Sequence, residues 1–491
     1  MKNKLKIALV NPRIESLSGS LPPLGILIIA ALLEQNDYDV RVFDLYPYDN
    51  RDIPSLVLFL PDVIGITVLT DYLPRAVEIS QIIRKRLPDS TFIAGGVHIT
   101  ALPEESIQQF GADICVIGEG EYTMLELCDH LSKGSNWKET KGIAYKDDNN
   151  NVIITSPRPF ITNLDDLPFP ARHLLKFEDY LIPPGRIRGT WSERSTTVMT
   201  GRGCPFKCIW CGSQCTFGHR VRYRSVDNVL DELELLIHNY QIDTIWLIDD
   251  TFTLSKKRVA EFCKKIIKRN LKLTLGCQAH VKTADENMFK LMKRAGFVQV
   301  DFGVESGSDK VLKTLKKNSD ALSIKMAFLL AKKAGLRTMA TFMFGSPSET
   351  KEDVEATMRL AKEINPNFVS SFFITPYPGT ELMEMAITNN WISPYVDRAM
   401  AGLRKGPMLK IHFSEKELLN IRSRFQKMFF FRNYGGLFLS PNYVFKIAIL
   451  FLRYPLGIVL GIKKFLKTFV FDDLVFEFVV YYTKEKINKK I

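Results

Sequence analysis

The sequence predicts an α/β protein with an N-terminal doubly wound domain, a partial (β/α)6 barrel and a helical C-terminal region. Short apolar strands alternate with helices over about residues 1–135, and a second alternating series follows over residues 191–390. Helices covering both faces of a parallel sheet produce this alternation. The 491 residues suffice for two to four domains of ordinary size.

The first series indicates a Rossmann-like domain over residues 1–135. Its strands are KIALVNP, VRVFDLY, DVIGITVL, TFIAGG and DICVIGEGE, and its helices include PPLGILIIAALLEQN, AVEISQIIRKRL and PEESIQQF. Such a domain binds ligands in a crevice at the carboxyl ends of its strands. No GxGxxG motif follows the first strand, which disfavours a dinucleotide.

Glycines concentrate where these strands are expected to end. They are Gly65, Gly95, Gly96, Gly118 and Gly120. Glycine lets the backbone approach a bulky ligand or take a positive φ angle. Tight turns alone would explain these positions equally well.

Residues 136–190 form a bridge between the two series. GIAYKDDNNNVIIT predicts a hairpin around residues 147–151, and LDDLPFPARHLL predicts a connector interrupted by prolines.

Residues 191–390 predict a TIM-type barrel that lacks two of the usual eight units. Its strands are STTVMTGRGC, TIWLIDDTF, LKLTLGCQAH, VQVDFGVESG, LRTMATFMFG and FVSSFFITPYPG. Active sites of such barrels lie at the carboxyl ends of the strands. Because six units cannot close a barrel of eight, we expect a wide, open mouth.

Cysteine usage indicates a reducing compartment. Eight cysteines are too few for a disulfide framework, and MKNKLKIALVNPR lacks the long apolar core of a signal peptide. We therefore expect a cytoplasmic protein. Cysteines that cluster in such a protein indicate a metal.

Three cysteines follow the first predicted barrel strand in the pattern Cys204-x-x-x-Cys208-x-x-Cys211. With eight cysteines in 491 residues, chance would produce this spacing at a rate on the order of 0.002. Zinc is one alternative, with Cys215 or His219 as the fourth ligand. A 4Fe-4S cube is the other, and three thiolates would leave one of its irons without a protein ligand.

The segment GRGCPFKCIWCG resembles the cluster loop of radical S-adenosylmethionine (SAM) enzymes, including the aromatic Trp210 before the third cysteine. The resemblance implies that the methionyl amine and carboxylate of SAM chelate the open iron. One electron then cleaves the sulfonium and produces a 5'-deoxyadenosyl radical. It also implies a reductase, flavodoxin or ferredoxin as electron donor.

Further barrel strand ends resemble the SAM-binding loops of these enzymes. The resemblance implies cofactor contacts from Asp249, Asp250, Glu305, Ser306, Gly345 and the loop from Thr375 to Gly379. The aspartates also fit an N-cap for the next helix, and the prolines and glycines also fit plain turns.

The N-terminal series, with AGGVHITALPEE and GADICVIGEGE, resembles the cobalamin-binding domain fused to many radical SAM enzymes. This resemblance implies cobalamin contacts from Gly65, Thr67, Gly95, Gly96, His98, Gly118 and Gly120. His98 fits either a place beside the nucleotide tail or a structural role.

The loop after the first strand, NPRIESLSGS, departs from the DxHxxG motif of cobalamin-dependent mutases because it has no histidine. We therefore expect base-off cobalamin without a protein imidazole on the lower face. Such a cobalt suits methyl transfer to an unactivated carbon.

Two other functions stay open at this point. Related enzymes that use the same cofactors catalyse cyclisation or carbon–carbon coupling without methyl transfer. A non-enzymatic zinc or nucleic-acid-binding protein is the alternative from a different class.

The C-terminal region, residues 391–491, carries most of the net charge of +12. Residues 401–491 contain 17 Lys and Arg and 6 Asp and Glu, and no acidic residue occurs from Leu418 to Phe471. Lys446, Arg453 and Pro455 interrupt the longest apolar run, which argues against a clean transmembrane span.

Apolar blocks ringed by cations suit a helix in the headgroup layer of an anionic membrane. This composition predicts peripheral contact with the inner face of the membrane and a small, apolar or lipid-like substrate. A helical cap on the barrel is the alternative. Nucleic acid is disfavoured, because the charges alternate with aliphatic blocks.

Overall fold

The computed structural model describes residues 4–13, 21–45, 52–181, 186–392, 406–438 and 441–468, together with Tyr481 and Glu485. These residues contain two large sheets, each packed against helices, as the two alternating series of strands and helices predicted. The predicted domain boundaries at residues 135, 190 and 390 stay predictions.

The first sheet has seven strands in the order β2-β1-β3-β4-β5-β6-β7. They are β1 Lys6–Pro12, β2 Asp39–Leu45, β3 Val63–Thr67, β4 Thr91–Gly95, β5 Ile114–Val116, β6 Ile143–Lys146 and β7 Val152–Ile154. The first five are parallel, while β6 and β7 are antiparallel to their neighbours. An apolar core lies on each face of this sheet, which confirms the doubly wound fold.

Among the described residues, six α-helices cover this sheet. They are α1 Leu24–Gln35, α2 Asp52–Phe59, α3 Leu73–Arg86, α4 Val97–Ala101, α5 Pro103–Phe110 and α6 Glu121–Lys133. The sequence analysis identified α1, α3 and α5 but not the other three. The predicted hairpin around residues 147–151 is confirmed, because β6 and β7 pair antiparallel on either side of these residues. Its two strands also extend the first sheet beyond β5.

The second sheet has six parallel strands in the order β15-β14-β13-β12-β11-β8. In chain order the strands here are β8 Ser195–Val198, β9 Gly201–Arg202, β10 Arg222–Tyr223, β11 Thr244–Leu247, β12 Thr274–Ala279, β13 Phe297–Glu305, β14 Arg337–Phe344 and β15 Phe368–Phe373. Strands β9 and β10 form a separate antiparallel ribbon. Within the described residues β8 and β15 do not pair with each other, so the barrel is open, as expected from six units.

In the described part of residues 186–392, eight α-helices accompany the second sheet. They are α7 Ser213–Phe217, α8 Val226–Tyr240, α9 Lys256–Lys268, α10 Glu286–Arg294, α11 Asp309–Thr314, α12 Ala321–Lys333, α13 Lys351–Ile364 and α14 Glu381–Thr388. Their buried faces and the six strands form the largest apolar core of the protein.

The C-terminal region begins as a cap on the barrel, which was the alternative to a membrane role. Helix α15 (Glu415–Phe438) packs against β14 and β15 through Leu418, Phe425 and Phe429. The Asn433 side chain accepts a hydrogen bond from the Val369 N–H at 2.8 Å and donates one to its carbonyl at 2.9 Å. These contacts cover the exposed edge of β15.

Two further helices, α16 Pro441–Arg453 and α17 Pro455–Thr468, follow the cap. In the described part of the chain, no single helix has the length and apolar composition to cross a membrane. The pair Val444–Arg453 and Pro455–Lys464, bent by 103° between its halves, meets both criteria only when taken together.

Phe425→Ala is expected to lower the stability of the barrel by about 3–5 kcal/mol, because it leaves a cavity in a packed core. Phe425 is 1% exposed and its ring contacts Phe342, Phe344 and Phe429. Urea unfolding monitored by tryptophan fluorescence measures the change. Phe431→Ala, six residues further along α15 and 85% exposed, is the matched control. Equal effects of the two substitutions would contradict the capping role of α15.

Candidate active site

The three predicted metal ligands lie in one loop, residues 203–221, whose two ends are the strands β9 and β10. Gly203 has a φ of +90°, and a Cβ there would lie 2.5 Å from the Arg220 carbonyl oxygen, so the loop requires glycine at its start. The Cys204 N–H donates to the Gly218 carbonyl at 3.4 Å, which brings the two ends of the loop together. The loop follows β8 and therefore lies at the carboxyl end of the barrel, as predicted.

The thiols of Cys204, Cys208 and Cys211 are close enough to influence one another's ionisation. Burial raises the pKa of all three, that of Cys208 to about 12, and the neighbouring thiols add to the rise at Cys208 and Cys211. The thiols therefore stay protonated until a metal displaces their protons.

The fourth ligand that a zinc site would need is not in place among the described residues. In the part of the chain that the structure describes, no three His, Cys, Asp or Glu side chains converge closely enough to hold a single ion. The Cys215 thiol donates instead to the Gly379 carbonyl at 2.9 Å, and His219 is exposed. Three cysteines on one loop, with both candidate fourth ligands otherwise placed, fit a cluster that leaves one iron without a protein ligand.

Lys317 is a functional candidate that the sequence analysis missed. Its buried ammonium donates to Glu305 Oε1 at 2.9 Å and lies 5.5 Å from the centre of the Trp210 ring. Burial alone would lower the pKa of Lys317, but Glu305 and the Cys208 and Cys211 thiols outweigh it and raise the pKa. A fixed positive charge thus faces the cluster loop.

Glu305 occupies the end of β13, where its position matches the prediction. It adopts a left-handed conformation with a φ of +67°, which is uncommon for a residue with a side chain. This backbone geometry and the ion pair with Lys317 direct the carboxylate toward the cluster loop. Its neighbour Ser306 is buried and contacts the Thr357 hydroxyl at 3.1 Å on α13, so Ser306 holds the strand end against that helix.

The two aspartates after β11 have different surroundings. Asp249 is buried and accepts hydrogen bonds from the Thr200 N–H and hydroxyl at 2.6 and 2.5 Å. It thereby ties β11 to the segment leading into the cluster loop. Asp250 is exposed and accepts from the Ser213 hydroxyl at 2.5 Å, just beyond Cys211. Of the two, only Asp250 is accessible from outside.

The loop after β14 is held by a buried carboxylate that the sequence analysis did not identify. Glu349 accepts from the Gly345 N–H at 2.6 Å and the Ser346 N–H at 3.3 Å. Burial raises the pKa of Glu349 to about 7. Gly345 has a φ of +89°, and a Cβ there would contact Leu418 of α15 at 3.4 Å. The capping helix therefore supports this loop.

The loop after β15 lies between the two domains. The Thr375 hydroxyl donates to the Phe373 carbonyl at 3.2 Å. A Cβ on Gly379 would lie 2.9 Å from the Cys215 sulfur and 3.0 Å from Ala101 Cβ of α4. Gly379 therefore touches the cluster loop on one side and the first domain on the other.

The strand-end loops of the first sheet meet one another at the same interface. His98 is buried, with Nδ1 3.2 Å from the Thr70 hydroxyl, and the Gly118 N–H donates to the Thr100 hydroxyl at 3.0 Å. Gly96 requires glycine, because a Cβ would lie 2.7 Å from the Val68 carbonyl oxygen and 3.2 Å from the Thr67 hydroxyl. A Cβ on Gly118 would point into open space, so this backbone is accessible to a ligand.

The predicted position of Gly65, at the end of a strand, is wrong. It lies in the middle of β3 rather than at its end, and a Cβ there would lie 2.9 Å from the Leu9 side chain. Close packing inside the sheet therefore explains this glycine. Gly95 and Gly120 adjoin the ends of β4 and β5 as predicted, and at both positions a Cβ would contact Val116 at 3.6 Å.

The roles predicted for the site residues in binding SAM and cobalamin stay predictions.

The two sets of loops are joined by buried ion pairs. Arg202 and Arg222, at the two ends of the cluster loop, both bond to Glu119 in the loop after β5. The carboxyl ends of both parallel sheets thus converge, with a loop of three cysteines on one side and an accessible glycine backbone on the other. These features agree with the class that the sequence resembles, a radical SAM enzyme with a fused cobalamin-binding domain.

Comparisons with known proteins agree with this class. The Radical SAM superfamily matches residues 198–361, and the B12 binding domain matches residues 11–128. An uncharacterized methyltransferase of Pyrococcus horikoshii is 35% identical over 442 residues, which cover 87% of this chain and 93% of the relative. The chain belongs to the cobalamin-dependent radical SAM methyltransferase family. Its cofactors are a 4Fe-4S cluster, SAM and cobalamin, as predicted.

Two further proteins extend the comparison. The anaerobic magnesium-protoporphyrin IX monomethyl ester cyclase of Rubrivivax gelatinosus is 29% identical over 394 residues, covering 77% of this chain and 70% of the cyclase. The solved structure of the cobalamin-dependent SAM radical enzyme OxsB has a TM-score of 0.72 at 17% identity, covering 100% of this chain and 81% of OxsB. The likeness to OxsB shows that the fold is shared.

Proposed function

We propose that the enzyme transfers a methyl group from SAM to a carbon atom of its substrate. The observation that carries the proposal is the convergence of the two cofactor-binding faces, since Gly379 contacts both the cluster loop and α4 of the cobalamin domain. When bound, the cofactors supply reductive cleavage of SAM and a cobalt that carries methyl groups. The P. horikoshii relative, named as a methyltransferase and similar along most of its length, supports this choice.

In this proposal the chain's own residues hold the cluster and orient SAM beside it. Cys204, Cys208 and Cys211 hold three irons of the cluster and leave the fourth open for the methionyl amine and carboxylate of SAM. Lys317 would supply a positive charge beside the cluster thiolates and that carboxylate, while the exposed Asp250 would accept a hydrogen bond from the N–H of the methionyl amine. A reductase, flavodoxin or ferredoxin supplies the electron.

Cyclisation without methyl transfer is the second candidate, because the R. gelatinosus relative is named as a cyclase. Anaerobic turnover of the full chain with a total lipid extract and SAM carrying a trideuterated methyl group separates the two. Methyl transfer places the deuterium label in a product and forms S-adenosylhomocysteine together with 5'-deoxyadenosine. Formation of 5'-deoxyadenosine and an unlabelled product, without S-adenosylhomocysteine, would contradict the proposal.

The substrate is proposed to be apolar or lipid-like, and the enzyme to act from the cytoplasm on the inner face of the membrane. The support lies in α16 and α17, whose exposed apolar side chains include Phe445, Leu452, Leu456 and Val459. Arg453, Lys463 and Lys464 are also exposed. Apolar residues beside cations suit the headgroup layer of an anionic membrane.

Leu452→Ser is expected to weaken binding to vesicles of phosphatidylcholine and phosphatidylglycerol roughly tenfold, because it removes a leucine that would enter the membrane. Leu58→Ser on α2 is the matched control, since both leucines are 81% exposed. Co-sedimentation of the full chain with the vesicles measures the difference, and higher salt should weaken binding. Equal binding of both variants would remove the support for a membrane role.

A further inference from the structure

A cluster of buried charges links the cobalamin-binding domain to both ends of the cluster loop. Arg202 and Arg222 are register partners in the ribbon of β9 and β10. Arg202 Nη1 donates to Glu119 Oε1 at 2.7 Å, and Arg222 Nη1 lies 2.9 and 2.7 Å from the two oxygens of the same carboxylate. One carboxylate of the first domain therefore holds the entry and the exit of the loop that carries the three cysteines.

Further hydrogen bonds fix the direction of each arginine. Arg202 Nη2 donates to Glu121 Oε1 at 2.5 Å, and Arg222 Nη2 donates to the Phe217 carbonyl at 3.1 Å. The second oxygen of Glu119 also accepts from the Ile161 N–H at 2.8 Å. The four charged side chains are each at most 5% exposed. Planar guanidinium groups bonded in this way permit little rotation of one element against the other.

This arrangement is costly if stability is its only purpose. Removing four charged groups from water carries a large penalty, and apolar side chains of similar size would stabilise an interface at least as well. What the ion pairs provide in addition is direction, since each bond holds only at a particular distance and angle. This group of buried charges is therefore suited to fixing the position of one domain relative to the other rather than to stabilising their interface.

The positions of these residues in the chain show what is being fixed. Glu119 lies between Gly118 and Gly120, in the strand-end loop whose backbone is open to a ligand. Arg202 precedes Cys204 by two residues, and Arg222 ends the loop on its other side. Glu119 thus adjoins the open glycine backbone directly, and Arg202 lies within two residues of the first cysteine.

We infer that Glu119 is a positioning residue that sets the distance and orientation between the cobalamin loop and the cluster loop. It acts through Arg202 and Arg222 and has no role in the chemical steps themselves. The inference rests on the family's cofactors and is independent of whether the enzyme methylates or cyclises its substrate.

The test compares Glu119→Gln with Glu232→Gln in the full chain carrying both the cluster and cobalamin. Glu232 is the matched control because it is a buried carboxylate that also pairs with two arginines, Arg172 and Arg224. The readout is the spin relaxation of cob(II)alamin measured by EPR with the cluster reduced and with it oxidised. The effect of the reduced cluster on this relaxation reports the separation and orientation of the two paramagnetic centres.

Glu119→Gln is expected to bind iron and cobalamin like the wild type, yet to change the relaxation effect by about twofold or more, because a loosened supporting shell shifts a site by about 1 Å. Glu232→Gln is expected to leave the effect unchanged. The inference would be overturned if Glu119→Gln protein binds both cofactors and the reduced cluster affects the relaxation of its cob(II)alamin as in the wild type. Loss of cobalamin from Glu119→Gln would also overturn it, since Glu119 would then be a binding residue.

If the Glu119→Gln protein does not accumulate in folded form, the Arg202→Lys variant is tested instead. Lysine keeps the positive charge but cannot bond Glu119 and Glu121 simultaneously in the geometry of a guanidinium. The same change in relaxation is expected with full cofactor content. Wild-type relaxation in Arg202→Lys would count against the inference in the same way.

Discussion

Cys208→Ala protein, prepared without oxygen, is expected to lose its cluster and all measurable reductive cleavage of SAM. Iron should fall from about four atoms per chain to less than one, because a 4Fe-4S cluster bound by two of its three thiolates is exposed to exchange and loss. Formation of 5'-deoxyadenosine should fall by roughly a thousandfold or more, since the electron then has no route to the sulfonium. Iron analysis and mass spectrometry measure the two effects.

Cys215→Ala provides the matched control for this result. Cys215 lies four residues beyond Cys211 but donates to the Gly379 carbonyl instead of facing the other three thiols. Its substitution should leave iron content unchanged. If Cys215→Ala loses iron as completely as Cys208→Ala, the site has four protein ligands and no open iron.

Lys317→Met is expected to retain iron but to lose productive binding of SAM. The substitution removes the buried positive charge that bonds Glu305 at 2.9 Å and faces the cluster thiols. We expect the KM for SAM to rise at least about tenfold and the rate of cleavage to fall roughly a hundredfold, in line with the loss of a desolvated ionic contact. Kinetics of 5'-deoxyadenosine formation at varied SAM concentration measure both.

This substitution also leaves Glu305 buried and unpaired, which should cost about 3–5 kcal/mol of stability. The double variant Lys317→Met/Glu305→Gln separates the two consequences, because it removes both charges and should recover stability without recovering SAM binding. Lys316→Met is the control, since Lys316 is half-exposed and pairs with Glu381 on α14. Recovery of cleavage in the double variant would show that Lys317 serves only to neutralise Glu305.

The elements that the sequence predicted well share one physical property. Strands of a parallel sheet are buried on both faces, so β1 and β3 appear as short apolar runs that can be recognised without knowledge of the neighbouring strands. The cysteine spacing is similarly local, because one loop supplies all three ligands. Fold class and metal chemistry were therefore predictable from short segments.

The features that the sequence did not reveal depend on contacts between distant segments. Lys316 and Lys317 are adjacent and identical in type, and only the fold buries one beside Glu305 and exposes the other. Glu119 and Arg202 are 83 residues apart, so nothing local marks them as partners. The GRGC segment does place Arg202 two residues before Cys204. An arginine at that position is a signal that an acidic partner lies elsewhere in the sequence.

The C-terminal region illustrates the same limit. Its composition predicted either a membrane surface or a cap on the barrel, and the structure divides it between α15, which caps the barrel, and α16 and α17, which expose apolar side chains. Apolar content alone could not distinguish these outcomes. The division depends on the edge of β15, which the sequence placed in the sheet but not at its margin.

The central claim is that three sulfurs hold a cluster whose fourth iron is open to SAM. EPR of the reduced full chain, recorded before and after addition of SAM, tests it most directly. A cluster signal whose g values shift when SAM is added is the predicted result. Superimposable spectra at saturating SAM, or a protein that holds zinc and no iron after anaerobic preparation, would contradict the claim.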